Sequence, residues 1–149
     1  LIANRNTLKS AIVKSNAVTE VTINGKTMTV AEAIERKNSI DYDETFLAEM
    51  KRQYASATDT VTKENKKVDN KVDELLATLI GKDSSKEVNK DSQEAIEKPY
   101  RAKNEFEFID PIGIWDKIEA LEADIDGFKA SVDTTLSVAN ATSFIEVDF

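Results

Sequence analysis

Apolar positions along this chain follow two periods. From Glu20 to Val30 they alternate: Val21 and Ile23 with Glu20, Thr22 and Asn24, then Met28 and Val30 with Thr27 and Thr29. Asn24-Gly25 stands between the two runs. A type I′ turn needs positive φ at both central residues, and Asn-Gly tolerates it, so this stretch predicts a tight hairpin. Thr29-Val30-Ala31-Glu32 then fits a capping box, with hydroxyl and carboxylate each reaching the other residue's amide. The hairpin should run straight into a helix.

Elsewhere the period is helical. Leu1, Leu8, Ile12 and Ser15 place the end of a helix before a stop at Ser15-Asn16. Val30 to Ile80 contains neither Gly nor Pro. Leu47, Met50, Tyr54, Ala57, Val61, Val68, Val72, Leu75 and Leu79 recur there in steps of three and four, with Asn65 on the stripe at one interruption. That is a heptad-like seam with a stutter. A helix over about 30–80 would be roughly 75 Å long, against about 30 Å for a compact globule of this size. The expectation is a rod, with a bend near Ser39 to Asp43 as its weak point and Gly81 as the C-terminal stop.

The 82–104 region reads as polar loop and short helix. A helix over Ser92 to Lys103 should be limited by Pro99. Glu105 to Ile109 alternates and predicts a short strand with Phe106 and Phe108 on one face. Asp110-Pro111 predicts the start of a second long helix, about 111–139. Ile112, Trp115, Ile118, Leu121, Ile125, Phe128, Val132 and Leu136 form its stripe; close packing would explain Gly127. Phe144 to Val147 is a last strand candidate.

The fold class that follows is mainly α, a single elongated domain over 1–149. It is an antiparallel helical bundle or coiled coil with a small hairpin-based antiparallel sheet. A lone hairpin is marginal in water, so a third strand from Phe144–Val147 is expected. A small sheet leaves an edge that can pair with another chain. The residues assigned to oligomer or sheet contacts are Val21, Ile23, Met28, Phe106, Phe108, Trp115, Ile145 and Val147. Trp115 reads first as core, with an interface near its indole N–H as the alternative.

Composition narrows the chemistry. A net charge of −8 opposes a nucleic-acid backbone or an anionic lipid surface as partner. The chain has neither Cys nor His, which removes thiolate nucleophiles, disulfides, the commonest general base and the commonest transition-metal ligand. No run approaches the roughly 18 apolar residues of a membrane span, and no secretion signal is visible. Asp41, Asp43 and Glu44 lack the central Gly of a calcium loop and read as a solvated helix face. Asp124 and Asp126 are two apart and do not share a helix face. No catalytic, metal or cofactor residue is assigned, and an enzyme working through carboxylates is the least favoured reading.

Two blocks carry a resemblance. The first is Ser15-Asn16-Ala17-Val18-Thr19, the Gly25 turn and Met28 to Lys37, set against the pattern T-N-x-x-T … G … L-T-E-A-L-A-x-R. The second is Asn104 to Asp110, then Asp133 and Asn140-Ala141-Thr142-Ser143, set against S-E-I-K-F-V and L-D-x-x-x-x-x-N-W-T-T. Together they cover about half the chain and resemble the septicolysin-like family of small helical proteins. Ala141 stands where the family has Trp, and Lys66 to Tyr100 has no counterpart. "TVAEAIERK" with "NATSFIEV" is similar to versions carried by tailed bacteriophages. The resemblance implies a non-enzymatic virion component, assembled in the host cytoplasm, with itself and other virion proteins as partners. The family's name implies the alternative, a pore-forming, membrane-associated oligomer.

Overall fold

The computed structural model describes residues 1–82 and 90–148. Most of the polar loop expected from residue 82 onward lies outside the described residues. The elements are α1 (Ile2–Val18), β1 (Glu20–Ile23), β2 (Lys26–Thr29), α2 (Val30–Lys82), α3 (Lys90–Asn104) and α4 (Ile114–Thr142). The protein is mainly helical, with one two-stranded antiparallel sheet among the described residues. Contacts divide the chain into two compact units, Leu1–Met50 with Trp115–Phe149, and Lys51–Ile114. The helix α2 is unbroken through Ser39 to Asp43 and includes Gly81.

In the first unit the hairpin forms as its residues require. Asn24 and Gly25 take φ of 49° and 74°, and Val21 pairs with Met28, Ile23 with Lys26. The Glu32 amide donates to Thr29 Oγ1 at 3.2 Å, while the Thr29 amide donates to Glu32 Oε2 at 2.7 Å. That box starts α2 directly at the end of β2.

The helix α2 packs on α4 through a seam spaced by sevens. Ala33, Ile40 and Leu47 are buried on α2; Ile118, Ile125, Val132 and Ala139 are buried on α4. A repeat of seven keeps one side of each helix against its neighbour. Phe128, Val21, Ile23 and Val30 complete this core. Each large side chain buried there contributes about 1.5–3 kcal/mol. Ala33, Ile40 and Ala139 extend the stripes read from the sequence, whereas Ile112 and Trp115 are exposed. The reason is the helix start: α4 begins at Ile114 rather than near 111, so Trp115 lies in its first turn, ahead of the seam.

The second unit is built on α2 and α3, with Val68 and Val72 buried one turn apart. Pro99 does not end α3, which continues to Asn104. Ala95, whose carbonyl loses its i+4 donor to the proline, is exposed to water. The predicted strand over Glu105–Ile109 is not one: residues 105–110 are irregular. Nor does Phe144–Val147 form a third strand; residues 143–148 are irregular too. Alternation supplies a two-faced segment, but a strand also needs a neighbour with free backbone groups, and neither segment lies on a sheet.

Candidate functional site

Polar side chains fasten the hairpin and the start of α2 to α4 in the first unit. Asp124 accepts from Lys26 Nζ at 2.7 Å and from Arg36 Nη2 at 2.8 Å. The Lys26 bond is the larger influence and, with Arg36, holds the Asp124 carboxyl below its ordinary value against the opposing effect of partial burial. The Arg36 guanidinium also lies over the Phe128 ring, 4.3 Å from its centre. Lys37 pairs with Asp133, and Glu44 with Lys129. From Lys37–Asp133 to Glu44–Lys129, α2 runs forward while α4 runs backward. The turn closes on α4 at Gly127, where an added Cβ would stand 2.5 Å from the Asn24 side-chain amide. This is the close packing expected at that glycine.

These ion pairs account for part of the acidic face read from the sequence: Glu44 of the Asp41–Asp43–Glu44 cluster is engaged by a lysine. Among the described residues, no group of three or more His, Cys, Asp or Glu could hold a metal ion. Nor is any described helix long and apolar enough to cross a membrane.

The eight contact residues separate into three sets. Val21 and Ile23 are buried in the chain's own core, so their side chains are spent there. Met28, Phe108 and Val147 are half-buried; Phe108 makes an edge-on contact with Tyr54, ring centres 5.5 Å apart. Phe106, Trp115 and Ile145 are exposed. Phe106, Phe108, Ile145 and Val147 belong to no strand. Thr19, Glu20 and Val21 line a groove of about 350 Å³ with Thr134, Val138 and Ala139, so β1 borders the last turns of α4.

Two surfaces stand out that the stripes did not single out. The first is α1. It spans 17 residues and buries none of them. Ile2 and Val13 are 77% and 67% exposed, with Leu8, Ile12 and Val18 also exposed. It carries Arg5, Lys9 and Lys14 and no acidic residue; all 28 acids follow it. It adjoins β2, and Asn6, Ser10 and Lys14 line a groove with Glu146 and Asp148 of the tail, yet these neighbours bury no α1 residue.

The second is the segment after α3. Asn65 presents its amide to the Phe106 backbone: Oδ1 accepts from the amide N–H at 2.8 Å, and Nδ2 donates to the carbonyl at 2.9 Å. Side chain thus replaces the missing strand partner, which explains an Asn on an otherwise apolar stripe. Tyr54 holds Phe108, and Asp110 Oδ2 accepts from the Ile114 amide at 2.7 Å. Gly113 turns the chain with φ of 62°. Phe106, Ile109 and Ile112 remain exposed, Ile109 at 82%. The signal for this arrangement was present in the sequence as the interruption at Asn65. Comparison with known proteins finds no family, no curated protein and no solved structure that matches the chain.

Proposed function

We propose that this chain is a non-enzymatic structural protein that assembles into homo-oligomers, as a component of a bacteriophage virion. The observation that carries the assembly reading is α1, a helix with exposed aliphatic side chains and no buried residue. Exposed apolar patches of this kind mark surfaces covered by a partner. The resemblance to septicolysin-like proteins in their phage-borne form supports the virion setting. The chain supplies cross-helix ion pairs and heptad seams, both suited to a building element, and no nucleophile–base pair is evident in its sequence.

Light scattering over a wide concentration range tests it. A defined multimer is the expected result, together with many copies in purified particles. A monomer throughout, absent from particles, overturns it.

The second reading is a septicolysin-like protein that oligomerises on membranes. It draws on the same helix, which carries three bases, no acidic residue and exposed aliphatic side chains. Binding to anionic vesicles with dye release would favour it; no binding at any lipid composition removes it.

A further inference from the structure

We infer that α1 of one copy docks on the 105–112 loop of a second copy, its aliphatic side chains against Phe106, Ile109 and Ile112, and Arg5 and Lys9 beside Glu105 and Glu107. This rests on the assembly reading above and names the surfaces that would carry it.

Charge selects the pairing. The helix α1 carries no acidic residue; Lys14 shares a groove with Glu146 and Asp148 of the chain's own tail, so Arg5 and Lys9 are the bases offered to a partner. The loop interleaves its apolar residues with Glu105 and Glu107, both exposed. Glu105 also accepts from Arg101 at 2.9 Å, which leaves its second oxygen for another donor. An α1–α1 contact between copies would set bases against bases. An anionic lipid surface would attract α1 but repel a chain of net charge −8. The loop of a second copy answers both the charge and the aliphatic surface.

The loop is also prepared for contact. Asn65, Tyr54 and Asp110 fix its backbone and one of its rings, so little chain entropy remains to be lost on binding. Surfaces that differ on the two sides make a heterologous contact, which propagates into a ring or an open array.

The chain has no cysteine, which makes cross-linking direct. Chains with Val13→Cys are mixed with chains carrying Ile109→Cys under mild oxidation; neither can cross-link within itself. A mixed disulfide dimer is expected as the main product, well above either like-with-like dimer. Adding Arg5→Glu and Lys9→Glu to the Val13→Cys chain should cut the mixed product about tenfold, with circular dichroism unchanged. If the unsubstituted chain is a multimer but mixed and like-with-like products form equally, the docking is wrong and the assembly reading stands. If the unsubstituted chain is a monomer at every concentration, the assembly reading fails and takes the docking with it. Preferential mixed product that survives both charge reversals overturns the electrostatic selection. Capture of α1 by phosphatidylserine vesicles, with no mixed product, overturns the docking in favour of lipid.

Discussion

Asp124 ties Lys26 of the hairpin and Arg36 of α2 to α4 through one carboxylate, so its titration reports on the first unit. Its folded pKa lies below its unfolded one, chiefly through Lys26 and then Arg36. The stabilisation is therefore complete above the unfolded value near 4 and is lost as pH falls through the folded value. Glu32 acts in the same sense, lowered first by the Thr29 amide and then by its hydroxyl. Stability should fall as pH drops below about 4, and Asp124→Asn should flatten that acid limb while leaving less stability at pH 7. Equal slopes for the two proteins in pH-resolved urea titrations would contradict this. Gly127 offers a second test. Alanine favours a helix interior by about 1 kcal/mol over glycine. Here the added methyl meets the Asn24 amide, so Gly127→Ala should gain nothing. In an Asn24→Gly background, where the turn still tolerates positive φ and the amide is gone, the same change should stabilise by about 0.5–1 kcal/mol. Double-mutant denaturation measures that coupling.

Among the elements, what was legible in the sequence depended on whether the cause was local. The hairpin, its turn and the capping box are decided within about a dozen residues, and each forms as read. The helical stripes were legible because the core selects one side of each helix, though small members such as Ala33 and Ala139 carry too little signal. The strands at 105–109 and 144–147 were misread because a strand depends on a remote neighbour. For Phe106 that neighbour is one side chain 41 residues away. The exposure of α1 was illegible for a related reason: nothing in its own sequence records which of its side chains the rest of the chain leaves uncovered. Asn65→Ala should lower the second unit's stability by about 1–2 kcal/mol, since water replaces two exposed hydrogen bonds imperfectly. It should also speed cleavage near Phe106 in limited proteolysis. Asn65→Asp keeps the acceptor for the Phe106 amide but sets a carboxylate oxygen against its carbonyl, and should be no better than Ala. Proteolysis unchanged in both variants would remove the loop's proposed support.

For the whole molecule, the proposed assembly would carry two electrostatic contributions of opposite sign. Copies of net charge −8 repel one another, and salt weakens that repulsion. The α1 bases and loop acids of two copies attract, and salt weakens that attraction. Distance decides between them. The screening length is about 10 Å at 0.1 M ionic strength, so charges spread across a molecule are already largely screened there. Partners brought to hydrogen-bonding distance in a contact are screened much less. Above about 0.1 M, added salt should therefore loosen the multimer of the unsubstituted chain. Arg5→Glu with Lys9→Glu removes the local attraction and leaves repulsion, so for that variant added salt should tighten whatever association remains. The reversal of sign, read from dissociation constants by sedimentation at several salt concentrations, is the expected result. A multimer that tightens with salt in both proteins would mean that aliphatic burial alone holds the copies together, with the charges on α1 serving only to keep it in water.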